Sequence, residues 1–140
     1  MSFHKNNEGK NNAVDPFFLY HSDHPGLVLI SKPLSGDNYS TWCQAMTISL
    51  NAKSKLGFID GSIKMPFAKS RPDDHASWRR CNDMILSWIL NSITPDLADS
   101  VIYLTTAQEV WEDLWDWQIL LMNPLPDVRQ AYSSIVQEEK

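Results

Sequence analysis

Large apolar residues recur three and four positions apart in this chain, and that spacing constrains its fold more than any other feature of the 140 residues. Tyr39, Trp42, Cys43, Met46 and Leu50 share one face of a helix that follows the Gly36-Asp37-Asn38 turn, a ready N-cap, and Gly57 is the expected terminator of that region. A second helix is expected over residues 74–91, capped by Asp73 or Asp74. Its stripe is Trp78, Cys81, Ile85, Trp88 and Ile89, widened by Leu86 and Leu90, so it should be buried on more than one side. Residues 57–72 read as a loop, two Gly and two Pro among them, with Phe58, Ile59 and Ile63 packing inward. Thr94-Pro95 opens a third helix, proline standing where its missing N–H costs nothing, with Leu97, Ala98, Val101, Ile102 and Leu104. Thr106 and Glu109 form a capping box for a fourth, which carries Val110, Trp111, Leu114 and Trp115.

The ends are different. Residues 1–14 are polar and aperiodic and should form a disordered tail. Residues 15–25, DPFFLYHSDHP, place an aromatic cluster between turn signals and should strap onto the domain. Residues 27–30 are either one strand or a buried extended arm. Residues 118–126 form an apolar stretch broken by Pro124 and Pro126, after which Asp127 caps a last helix over 128–137. The expected fold is all-α: a small bundle of four to five short helices with a short extended N-terminal arm. Five Gly residues are too few for a β-rich or α/β chain of this length. No apolar run reaches the ~20 residues of a membrane span, so no membrane partner is expected. No apolar leader is visible, and Cys43 and Cys81 cannot make a disulfide framework. A cytoplasmic location is the expectation, with the nucleus as the other compartment.

Charge is uneven. The formal net charge of −5 argues against a general nucleic-acid binder. Yet residues 53–80 hold seven cations, Lys53, Lys55, Lys64, Lys69, Arg71, Arg79 and Arg80, against three Asp, whereas residues 81–128 hold eight acids and no Lys or Arg. Such a chain can pair head to tail with copies of itself, because complementary patches steer association. The plainer reading is a solvated surface.

No catalytic constellation stands out. His21 and His24 with Asp23 offer too few ligands for a metal, and the cysteines fall on apolar stripes, where a small core residue is the better reading than a nucleophile. Phosphate-binding glycine loops are missing. No enzyme activity, cofactor, metal or small-molecule substrate is therefore expected. The six Trp are core candidates first and base-stacking platforms second.

Residues 27–63 (LVLISKPLSGDNYSTWCQAMTISLNAKSKLGFIDGSI), 78–93 (WRRCNDMILSWILNSI) and 109–114 (EVWEDL) closely resemble the N-terminal Gag region of plant copia-type long-terminal-repeat retrotransposons, and residues 15–26 are similar to that family's lead-in. The resemblance covers 15–115 almost continuously. It implies a helical, capsid-like structural protein that self-associates and packages RNA. Tyr39, Trp42, Phe58, Ile59, Trp78, Cys81 and Trp88 are then scaffold residues. After residue 115 the family's long helical stretch is replaced by residues 116–140, which resemble a later part of Gag, so an internal truncation is implied, and no zinc knuckle follows. The uncovered stripes are then expected to leave a self-association patch around Trp111, Leu114, Trp115 and Trp117. The partners expected are the chain itself or related Gag chains, with RNA as a weak one. The leading expectation is a non-enzymatic Gag-like fragment of a decayed or domesticated element, with or without a present cellular role. The alternative is a nucleic-acid-binding module built on the basic 53–80 region.

Overall fold

Leu34 is where the irregular N-terminal segment locks onto the helical body. Its N–H donates to the Ser92 carbonyl at 2.9 Å and its own carbonyl accepts from the Thr94 N–H at 3.1 Å, an isolated parallel bridge with Ile93. The computed structural model describes residues 15–122. Five helices follow one another in it: α1 (Tyr39–Ala52), α2 (Gly57–Asp60), α3 (Pro72–Leu90), α4 (Pro95–Val101) and α5 (Ala107–Met122). The described residues are all-α, and among them 27–30 adopt no strand. The run is not the buried arm either: Val28 is exposed, and Leu27, Leu29 and Ile30 are only partly buried against the core. The expected tail 1–14 and the expected helix 128–137 lie outside the described residues.

One core joins the elements. Tyr39, Trp42, Met46 and Leu50 of α1 are buried with Phe58 and Ile59 of α2, Trp78, Cys81, Ile85, Trp88 and Ile89 of α3, and Val101, Val110 and Leu114 beyond. Helix α5 packs against both α2 and α3. The indole N–H of Trp42 donates to the Ser92 carbonyl at 2.7 Å, so the bulkiest side chain of α1 is also hydrogen-bonded to the end of α3.

Several helix ends differ from expectation for local reasons. Asn38 does not cap α1 with its side chain. It turns back instead, accepting from the Ser35 N–H and donating to the Pro33 carbonyl, both at 2.9 Å. Gly57 does not end α1; it begins α2. The actual terminator is Ser54, which adopts φ +58°. The Lys55 N–H then reaches the Leu50 carbonyl at 2.8 Å and the Ser54 N–H the Asn51 carbonyl at 3.0 Å, the paired bonds of a Schellman turn. Gly61, at φ +84°, closes the single turn of α2. Helix α3 begins at Pro72, two residues earlier than expected, because proline suits the first helical position and neither Asp is needed as the cap. The Thr106 hydroxyl does cap α5, accepting from the Glu109 N–H at 3.1 Å, while Glu109 accepts from the Thr106 hydroxyl at 2.8 Å and not from its backbone. Helix α5 also runs through residues 116–122, since Gln, Ile, Leu and Met propagate a helix readily.

Asn82 of α3 is buried within the apolar stripe. Its amide donates to the Thr105 carbonyl and its oxygen accepts from the Ala107 N–H, each at 2.9 Å. One side chain thus fixes the start of α5 against α3.

Candidate functional site

The Schellman turn after α1 decides the fate of two of the seven candidate cations. By reversing the chain at Ser54 it turns Lys55 inward, where the residue is 1 % exposed and its ammonium donates to the Phe18 carbonyl at 2.5 Å and to the Lys53 carbonyl at 3.3 Å. Lys53 pairs with the buried carboxylate of Asp23 at 2.6 Å and sits 5.3 Å above the Trp88 ring. Both cations hold the N-terminal arm, so neither faces a polyanion, and this corrects the basic region read from the sequence. Lys64, Lys69, Arg71, Arg79 and Arg80 are exposed. Arg71 is engaged locally, its guanidinium 2.5 Å from Asp74. Beside Lys64 and Lys69, Phe67 is 82 % exposed.

The expected self-association patch is rearranged in the same way. Leu114 is 1 % exposed and belongs to the core. Trp111 is half-buried and stacks on Trp42 with ring centroids 5.5 Å apart. Trp117 is also half-buried. Trp115 alone of the four is open, 49 % exposed, with its ring 5.8 Å from Tyr39. One turn further along α5, Ile119 and Leu120 are exposed as well. The apolar side of α5 that faces solvent is therefore Trp115, Ile119 and Leu120, two of which the sequence spacing did not single out because α5 was expected to stop sooner. A shallow depression beside Trp115 is lined by Tyr39, Ser40, Cys43, Gln44 and Thr47. All seven scaffold residues, Tyr39, Trp42, Phe58, Ile59, Trp78, Cys81 and Trp88, are buried. Among the described residues no three His, Cys, Asp or Glu side chains converge as a metal site. No helix among them is long and apolar enough to cross a membrane.

Residues 20–67 match the family model described as Gag-polypeptide of LTR copia-type. Over those residues the chain is similar to a copia-type Gag N-terminal region. Two relatives from Arabidopsis thaliana, the retrovirus-related Pol polyproteins from transposons RE2 and RE1, are 33 % and 31 % identical to it over 88 residues. Those stretches cover 58 % of this chain and 6 % of each relative, so the chain spans a small fraction of their length. No solved structure matches the chain. The matched segment begins in the arm at Tyr20 and passes through α1 and α2 to Phe67. It therefore contains both the Schellman turn and the inward lysines.

Burial sets the protonation behaviour of the core. It raises the Cys81 thiol above its ordinary 9.0, against the opposing charges of Lys55 and Arg80. Burial, helped by Cys43, likewise raises the Tyr39 phenol above 10.0. It lowers the Lys55 ammonium below 10.5, against Cys81, Asp23 and Asp15. A group raised on folding holds its proton better in the folded state, so its stabilising contribution is full below the unfolded value and fades as pH rises above it. Stability should accordingly fall above about pH 9 as the unfolded Cys81 and then Tyr39 ionise. Lys55 works the other way, since its penalty is relieved as pH approaches 10.5. Urea unfolding between pH 7 and pH 11 should show a loss for the native chain and a steeper one for Lys55→Met, which lacks the offset. Parallel pH profiles for the two chains would remove Lys55 from this account.

Proposed function

We propose that this chain is a non-catalytic, Gag-type structural segment that associates with copies of itself or with related Gag chains. The observation that carries this reading is the two-sided character of α5. Its Val110 and Leu114 side completes the core, and its Trp115, Ile119 and Leu120 side is apolar and open. Exposed apolar surface of that kind is stabilised by covering it with protein. Exposed cations on the basic stretch and the acids that follow give copies a means to find one another. The family match supports a structural role, and the buried placement of the scaffold residues supports it further. On this reading the chain acts inside the cell, in the cytoplasm or nucleus, and represents a shortened Gag region.

RNA binding is the weaker reading. With Lys53 and Lys55 committed to the arm, five of the seven candidate cations of residues 53–80 remain exposed, on a chain of net charge −5. Light scattering coupled to size exclusion tests the main proposal: the mass should rise above 16.0 kDa as concentration increases. A mass fixed at the monomer value across the accessible range would contradict it. RNA added at low salt should shift the chain little; strong binding that weakens steeply with salt would favour the alternative.

A further inference from the structure

The N-terminal arm is held mainly by its backbone. The Cys81 thiol donates to the Phe17 carbonyl at 3.3 Å, and Lys55 donates to the Phe18 carbonyl. The Trp88 indole N–H donates to the His24 carbonyl and the Asn91 amide to the Pro25 carbonyl, both at 2.8 Å. Lys53 adds the ion pair with Asp23. Four carbonyls of an irregular segment are thus gripped by side chains from α3 and from the turn after α1. Groups that read carbonyls and one carboxylate make a seat for an irregular, turn-containing peptide bearing an acid at one position. Each copy of this chain carries both that seat and the peptide that fits it.

The connection between them is suited to crossing. The last gripped residue is Pro25, and the chain is next fixed at Leu34 by its bridge to Ile93. Residues 26–33 between them contain no helix or strand, and Gly26, Val28, Ser31, Lys32 and Pro33 are exposed. Eight residues in extended form reach roughly 26–29 Å, enough to pass to an adjacent molecule.

We infer that the arm is exchangeable: residues 15–25 of one copy dock in the seat of Lys53, Lys55, Cys81, Trp88 and Asn91 on a second copy, and so link Gag-type chains reciprocally. Exchange conserves the contacts of residues 15–25 and gives up only those of residues 26–33, chiefly the partial burial of Leu27, Leu29 and Ile30 against the core, which makes it an inexpensive route to a closed dimer. The Asp23–Lys53 pair supplies the charge complementarity, and the Phe17 ring, 6.4 Å from Phe58, seats the apolar start of the arm.

This inference deepens the self-association reading and rests on it. The test mixes isotope-labelled and unlabelled full-length chains, measures mass by sedimentation, and records isotope-filtered nuclear Overhauser effects from the Trp88 indole N–H. Contacts between Trp88 of a labelled copy and His24 of an unlabelled one are expected in the associated fraction. Asn91→Ala, which removes one grip at an exposed position, should speed their appearance by about two- to tenfold, the equivalent of one ordinary hydrogen bond. Associated copies in which Trp88 contacts only its own arm would overturn arm exchange and leave association through α5 standing. A chain that stays monomeric at every concentration would overturn both.

Discussion

Replacing Trp42 by alanine is expected to destabilise the fold by about 3–5 kcal/mol, the cost typical of emptying a large aromatic site. A domain of this size has about 5–15 kcal/mol in total, so the variant should be largely unfolded under mild heating or low urea. Three contacts converge on this ring. Trp42 is buried in the core, its indole donates to the Ser92 carbonyl at 2.7 Å, and it stacks on Trp111. Removing it separates α1 from the end of α3 and strips the inner support of α5. Trp42→Phe should recover most of the loss. The Ser92 carbonyl stays partnered through the Leu34 N–H, so the phenylalanine variant forfeits one indole hydrogen bond and some ring area. Urea titration followed by far-ultraviolet circular dichroism separates the two variants. Equal midpoints for Trp42→Ala and the native chain would contradict the packing described.

Asn82→Leu should have the next largest effect, about 1–3 kcal/mol, although it replaces a polar group in an apolar stripe with an apolar one of similar size. The reason is what it leaves behind. The buried Ala107 N–H loses its partner, and a buried unsatisfied group costs about 1–3 kcal/mol, while the carbonyl of the exposed Thr105 also loses its amide partner. Asn82→Asp discriminates this from simple loss of volume. At neutral pH it places a carboxylate at a buried site and removes the donor to Thr105. Burial raises the pKa of such a carboxyl, and its protonated form can both accept from Ala107 and donate to Thr105. The aspartate variant should therefore regain stability as pH falls, in a window where the leucine variant regains none. Thermal melts from pH 7 to pH 4 would show the divergence, and parallel curves would contradict the hydrogen-bonded role of Asn82.

Much of this was legible in the sequence because helical spacing reports burial directly. Tyr39, Trp42, Met46 and Leu50 on α1, and Trp78, Cys81, Ile85, Trp88 and Ile89 on α3, lie where the periodicity places them. What periodicity could not show was polar burial. Asn82 falls on the stripe but breaks its apolar pattern, and its value depends on Thr105 and Ala107, more than twenty residues away. Lys55 was counted among exposed cations because its inward course depends on a serine taking a left-handed conformation that glycine usually supplies. With glycine at position 54, the reversal would have been visible. Leu114 was assigned to an open patch on the premise that α5 lacked cover, yet α2 and α3 already provide it. The outward residues Ile119 and Leu120 were hidden by an apolar run that looked like a linker before prolines. The arm could be read as a strap from its aromatic cluster. Its attachment through carbonyls could not, since backbone acceptors leave no signature in side-chain identity.

On the proposed function, the open side of α5 that carries Trp115 is covered by another protein chain. Sedimentation equilibrium of the native chain beside Trp115→Glu, at matched concentrations and with folding checked by circular dichroism, tests this most directly. The native chain should form a reversible, concentration-dependent assembly, and the glutamate variant, equally folded, should need at least about tenfold higher concentration to assemble, the equivalent of 1.4 kcal/mol. Two folded chains that assemble identically, or that both remain single, would contradict it.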